Sequence, residues 1–402
     1  LDREREHHEG QEQPVAQPKG GSQSAFAVLL VALFASTLGF GIIVPFLPIY
    51  AETLGASGIW IGLIFSGFSI ARFFVMPLMG RLSDQRGRKG FIVLGLFLYA
   101  LVSLGFVWAD SPEMLTLLRF GQGVAAAMII PIAQAYAGEI SPPKREGKYM
   151  GLFSLALFAG FSAGPLLGGT LKDLYGISSS IYTLSALSLL ATLLVFFLLP
   201  ELRHAQKATS LSRHTIWEAW KNRVVRNLLF FRTTAAMCRG ALIAFVPLFA
   251  HDKMHLSSSQ IGIVITGNVL LAALLQAPFG MLADRANRRA LVILGGFLFS
   301  GLLFVVPFIE SFPQLLVLSL LHGASGALAL PAATAIMVEE GRRHGMGVTM
   351  TLFNMSMSLG LASGPLLAGW TADRSGLNAL FTVFSGIGLL GIAPYAFLNR
   401  KR

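Results

Sequence analysis

The sequence predicts an all-α membrane protein, with twelve transmembrane helices arranged as two parallel six-helix halves. Three observations carry this. Hydrophobic residues make up 54% of the 402-residue chain and charged residues only 13%, about half the ~25% usual in soluble domains. The mean hydropathy is +0.66. Twelve apolar segments follow one another in close order, and the second half of the chain repeats motifs of the first. A transmembrane helix takes roughly 20 apolar residues, so twelve take about 240 and leave short loops. The composition excludes a soluble globular protein, a disordered chain and a nucleic-acid-binding domain.

Residues 1–25 are polar, contain proline and lack the apolar core of a signal peptide, so they read as a disordered tail. Spans 1–6 fall at 26–50, 59–80, 91–109, 113–138, 149–171 and 180–200. Spans 7–12 fall at 227–250, 259–279, 290–310, 314–338, 347–370 and 377–398. The first six form an N-terminal bundle (26–200) and the last six a C-terminal bundle (227–398), followed by a short tail (399–402). Only the 201–226 connection is long. Trp217, Trp220 and Val224 share one helical face there, which suggests a helix lying on the membrane surface; a plain linker is the alternative. No connection has room for a soluble catalytic domain.

The net charge is +11 and the single cysteine, Cys238, excludes a disulfide framework. The loops that follow even-numbered spans, together with both termini, hold 24 of the 31 Lys and Arg. The opposite loops hold only Lys172, Lys253 and Arg374. Because basic residues accumulate in cytoplasmic loops, both termini are expected in the cytoplasm. The compact loops suggest an inner (plasma) membrane.

The repeat has an offset of 200 residues. Gly80-Arg81-Leu82-Ser83-Asp84 and Arg88-Lys89 match Gly280-Met281-Leu282-Ala283-Asp284 and Arg288-Arg289. Gly123 and Pro131 match Gly323 and Pro331, and Gly164-Pro165-Leu166-Leu167 matches Gly364-Pro365-Leu366-Leu367. Gly169 and Asp173 match Gly369 and Asp373. Six spans separate equivalent points, and an even number preserves orientation. Parallel halves related by an axis along the membrane normal point to the major facilitator architecture.

Four motifs carry the chemistry. In the loop after span 2, Gly80 permits a helix exit and Gly87 a sharp turn. Asp84 sits there among Arg81, Arg86, Arg88 and Lys89, where a carboxylate can cap a neighbouring helix and act as a gate. In span 4, Arg119 lies about two turns inside, with Gln122 one turn further on; an intramembrane arginine faces a cavity or a partner. In span 5, Gly160, Gly164-Pro165 and Gly168-Gly169 permit close helix contact and a kink; span 11 holds a copy in Gly360, Gly364-Pro365 and Gly369. In span 1, Pro45 and Pro48 mark a distorted or flexible stretch.

These motifs resemble those of the major facilitator superfamily, and of its twelve-span drug–proton antiporter families, over residues 26–398. The resemblance implies that Asp84 caps the start of span 11 near Gly347 when the transporter is open to the outside. It implies that Asp284, with Arg288, does the same for span 5 near Tyr149. Gln85 stands where a basic residue is usual and Asn287 replaces the second glycine, so the second gate is expected to be weaker. It also implies proton coupling at Arg119 and an exporter-type packing motif in span 5.

No Asp or Glu lies in the middle of any span. The interior charge is positive instead: Arg72, Arg119 and Arg239. Buried cations need counter-charges, and arginine binds carboxylate or phosphate through two parallel hydrogen bonds. End-of-span carboxylates are the alternative partners. His322, at the repeat position of Gln122, titrates nearest neutrality and is a second candidate for proton coupling; a structural histidine is the alternative. Gln134, Asn268 and Gln276 could contact substrate.

Two functions follow. The first is a secondary active exporter of small amphiphilic compounds, working by alternating access and driven by protons. The second is an organic-anion transporter built on the intramembrane arginines. Nothing in the sequence favours a third, a non-transporting sensor. The expected partners are a small-molecule substrate, protons and membrane lipid, without nucleic acid, cofactor or metal, and the chain reads as a monomer. No nucleophile–base pair or phosphate loop is present, which excludes an enzyme and ATP-driven transport.

Overall fold

The computed structural model describes residues 21–142, 145–201, 220–344 and 346–398. Most of the 1–25 tail, the surface-helix segment around Trp217 and the 399–402 tail lie outside the described residues. The described secondary-structure elements are all helices. Eleven helices are long and apolar enough to cross a membrane; the last, Thr349–Ala396, makes two passes and turns at Gly376, whose φ is 81°. This is a multi-pass membrane protein of two six-helix halves.

Four of the helices start at a residue whose side chain accepts from their first free amides. Ser111 caps span 4, and Ser257 with Gln260 forms a reciprocal capping box on span 8. Large apolar side chains such as Phe74, Leu117, Phe197 and Leu390 stay exposed on the outside of the bundle, as a hydrocarbon solvent allows. The repeat extends to backbone conformation. Gly176 and Gly376 take nearly equal positive φ, and the equivalent Gly55 and His255 are both positive, at 80° and 51°.

The structure corrects four spans. Span 1 is two helices, Gly21–Ile43 and Leu47–Thr53, with Pro48 in the first turn of the second. Span 4 breaks between Pro112–Ala127 and Ile130–Ile140, ahead of Pro131. Gly80 and Gly280 are not helix exits: spans 2 and 8 continue as Gly58–Arg86 and Ser258–Arg285. Hydropathy falls where a helix leaves hydrocarbon, but its backbone bonds persist into water. The turn comes at Gly87, with φ 100°. In the second copy Asn287 makes the turn instead, its Oδ1 accepting from the amides of Arg289 and Ala290 at 3.0 and 3.2 Å.

The glycine motifs set the helix spacing. In span 5 (Glu146–Tyr175) a methyl group at Gly164 would lie 2.6 Å from Gly41 Cα of span 1, and one at Gly168 would lie 2.1 Å from the Ile42 carbonyl. Gly160 faces Thr37 in the same way. Span 11 packs equally tightly on span 7 (Arg223–Met254) through Gly360 and Gly364. Across the halves, Gly262 of span 8 rests on the Pro165 carbonyl and Gly62 of span 2 on the Pro365 carbonyl. Gly169 and Gly369 press on the first residues of spans 8 and 2. The GP motif of each half therefore touches the other half.

Candidate functional site

The two ends of the molecule differ in how the halves meet. At the end opposite the basic loops they are tied together. Asp173, near the end of span 5, accepts from the amides of Ser258 and Ser259 at 3.1 and 2.7 Å and from Ser259 Oγ at 2.6 Å. Asp373, near the end of span 11, accepts from the amides of Gly58 and Ile59 at 2.6 and 2.8 Å. Each carboxylate caps the first turn of a helix in the other half, where free amides and the helix dipole favour negative charge. One turn motif thus closes the seam twice, related by the 200-residue repeat. Deeper in, Thr266 Oγ1 of span 8 donates to the Ser162 carbonyl of span 5 at 2.7 Å.

At the basic end the gating residues are held within their own halves. Arg88 pairs with Asp84 at 3.0 Å and with Glu139 at 2.6 Å. Arg288 pairs with Asp284 at 3.6 Å and with Glu339 at 3.5 Å. Burial alone would lower the Arg88 pKa, but Glu139 and Asp84 outweigh it and raise it. The second triad is longer and more exposed, with the Asp284 side chain 74% accessible against 29% for Asp84. Tyr149 is buried against Phe26, ring centroids 4.3 Å apart, rather than beside Asp284. Among the described residues, the ion-pair partners of both carboxylates lie within their own halves.

The three intramembrane arginines do not form one site. Arg119 is sealed inside the N-terminal half, 2% exposed. Its Nη1 donates to Gln122 Oε1 at 2.9 Å, and Gln122 Nε2 donates to Ser103 Oγ at 2.7 Å. The guanidinium lies 4.5 Å from the Phe68 ring centre, with Phe65 and Phe40 also around it. Aromatic faces supply the negative electrostatic surface here, and among the described residues no carboxylate pairs with it. Arg72 is partly buried in span 2. Arg232, nearer the basic end of span 7, stacks on Phe353 and donates to Met357 Sδ at 3.1 Å.

Arg239 stands apart. It lines a cavity of about 240 Å³ together with Asn268, Gln276 and His322. Apolar side chains from spans 7 to 10 complete the wall, and Phe158 of span 5 is the contribution of the other half. Asn268 Nδ2 donates to the Ser319 carbonyl at 2.6 Å, which fixes that amide. Arg72, Arg119, Gln122 and the exposed Gln134 do not line this cavity. Sequence reasoning missed Glu139, Glu339 and the capping roles of Asp173 and Asp373. Their signal was present, since both pairs recur at the repeat offset, but nothing in one sequence shows which helix end a carboxylate will meet.

Two bundles joined by repeat-related seams, with polar groups inside apolar walls, define a membrane transporter rather than an enzyme. The family model for the Major Facilitator Superfamily matches residues 29–257 and 228–402. The chain belongs to that superfamily and is a secondary transporter. It is 31% identical over 380 residues to an uncharacterized MFS-type transporter of Methanocaldococcus jannaschii, covering 93% of this chain and 98% of that protein. It is 29% identical over 384 residues to multidrug resistance protein 2 of Bacillus subtilis, covering 91% and 94%. Among solved structures, a bacterial homolog of the human lysosomal transporter Spinster, inward-facing and occupied, superimposes with a TM-score of 0.82 at 15% identity, covering 96% of this chain and 98% of that one.

Proposed function

We propose that this transporter expels small amphiphilic compounds from the cell by alternating access, in exchange for protons. The observation that carries the alternating-access reading is the pair of latch sets. Asp173 and Asp373 bridge the halves at one end, while Asp84 and Asp284, equally related by the repeat, are parked on Arg88 and Arg288 at the other. With the basic loops in the cytoplasm, the conformation is closed to the outside and open inward. Rocking to the opposite state would release the first set and free the second to cap spans 11 and 5.

Export is supported by the GP motif of span 5, seated between the halves, and by the multidrug relative in Bacillus subtilis. Arg119 and His322 are the candidates for proton coupling. Everted membrane vesicles carrying an imposed pH gradient, followed with a pH-sensitive dye, test this reading. Addition of an amphiphilic substrate should discharge the gradient in wild type and not in Arg119→Ala. Equal discharge in the variant would remove Arg119 from the coupling, and absence of discharge by any compound that binds would remove proton exchange altogether.

A further inference from the structure

The C-terminal half offers a cationic chamber with no built-in counter-charge. Arg239 lies midway along span 7, yet its side chain is exposed and lines the cavity. Among the described residues neither an ion pair nor a hydrogen bond engages its guanidinium, and none of the carboxylates of the chain lies in the middle of a span. An uncompensated charge away from bulk water is costly. Most structural arginines avoid that cost with a partner, as Arg119 does through Gln122 and three phenyl rings. Arg239 leaves its donors to whatever enters the cavity.

A second group points to the same space. His322 lines the cavity and is only 5% exposed, yet its Nε2 has no hydrogen-bond partner. The ring is fixed edge-on to Phe299, centroids 4.2 Å apart. Arg232 Nε of the same half is also buried without a partner but does not line the cavity, whereas a ring nitrogen left unpaired at the cavity wall marks a position that a ligand can satisfy. The surrounding wall is apolar and includes Leu242, Val246, Phe299 and Leu315. The N-terminal half has no counterpart. Gly39 occupies the repeat position of Arg239, and Gln122, the equivalent of His322, already spends its amide on Arg119 and Ser103.

We propose that this cavity binds the anionic group of the substrate, a carboxylate, sulfonate or phosphonate carried on an apolar body, at Arg239, with His322 as the adjoining hydrogen-bond partner. The guanidinium fork matches the paired oxygens of such groups, and the apolar wall takes the remainder. This rests on the transport reading above and narrows its amphiphiles to anions. Cations of the same shape would meet Arg239 with no carboxylate to offset it.

Calorimetric titration of the purified full-length protein with three naphthalene probes tests the site. These are 2-naphthalenesulfonate, 2-naphthalenemethanol and (2-naphthylmethyl)trimethylammonium. The sulfonate should bind wild type most tightly. Arg239→Gln should weaken the sulfonate about tenfold or more and leave the alcohol unchanged. Arg239→Lys should weaken it less, and His322→Gln should weaken the sulfonate alone. Unchanged alcohol binding shows that each variant keeps a folded cavity. The proposal is overturned if the sulfonate does not bind wild type, if Arg239→Gln leaves its affinity intact, or if the cation binds as tightly. Flux of the same probes in everted vesicles separates the two readings. Arg239-dependent binding without flux sinks the exporter and keeps the site, whereas cation flux insensitive to Arg239→Gln does the reverse.

Discussion

At the scale of single residues, the buried cations show how one side chain takes opposite roles. Arg119 is held within its own half by few groups, and its buried Nε has no hydrogen-bond partner. Gln122 supplies the hydrogen-bond acceptor and Phe68 the nearest ring face. Gln122→Leu keeps volume but strips that acceptor and leaves the guanidinium underbonded. A loss of about 1.5–3 kcal/mol is expected for a charged hydrogen bond, read as a lower unfolding midpoint in detergent. A melting curve matching wild type would mean that the aromatic rings alone hold Arg119. The interior charges were legible in the sequence because an arginine stands out in an apolar helix. Their surroundings were not, because helix rotation and the partner helices decide whether a residue two turns inside meets a cavity or a phenyl ring. Sequence spacing grouped Arg72, Arg119 and Arg239; packing separates Arg119 from the cavity that Arg239 lines.

At the scale of elements, glycine placement determines how closely the helices approach. Gly164→Ala drives a methyl to 2.6 Å from Gly41 Cα, a backbone atom that cannot rotate away. Overpacking of this kind costs roughly 1–3 kcal/mol. Gly151 lies in the same helix with nothing within 4 Å of the added methyl. Gly151→Ala should therefore leave the protein equally stable or raise its stability by about 0.5–1 kcal/mol, the usual gain from removing a helical glycine. Parallel melts of the two variants check the contrast, and equal destabilisation by both would show that general helix effects dominate. The spans, their number and the parallel repeat could be read from hydropathy and from motifs sharing one offset. The breaks at Val44–Phe46 and at Met128–Ile129 could not be placed, since proline marks a risk of distortion without fixing the residue at which the backbone turns. The ends of spans 2 and 8 were misplaced because Asp84 and Asp284 belong to helices that outlast their apolar stretch.

At the scale of the whole molecule, the closed seam is a balance that charge can tip. Asp173 and Asp373 each cap an exposed helix end, worth about 0.3–1 kcal/mol apiece. Asp173→Asn with Asp373→Asn should lower the ratio of the seam-closed to the seam-open state several-fold, which spin-label distances across the far ends of spans 1 and 7 would report as a longer component. The same seam carries a titratable element. Burial raises the Glu52 carboxyl above its ordinary range, the Asp252 charge from the other half adds to this, and His251 opposes it. Glu52 and Asp252 are repeat equivalents at the ends of spans 1 and 7. The seam-closed state therefore holds the Glu52 proton more tightly than a state in which those ends have parted. By linkage, closure is favoured below the raised pKa and is weakened as pH rises through it. Raising the pH on that side should lengthen the span 1 to span 7 distance in wild type. Glu52→Gln, which cannot ionise, should remain at the short distance throughout. A variant that still opens with rising pH would assign the sensitivity to Asp252 instead. In the orientation and exchange proposed above, which put the seam on the outer face, protons arriving from the more acidic side would promote closure behind them.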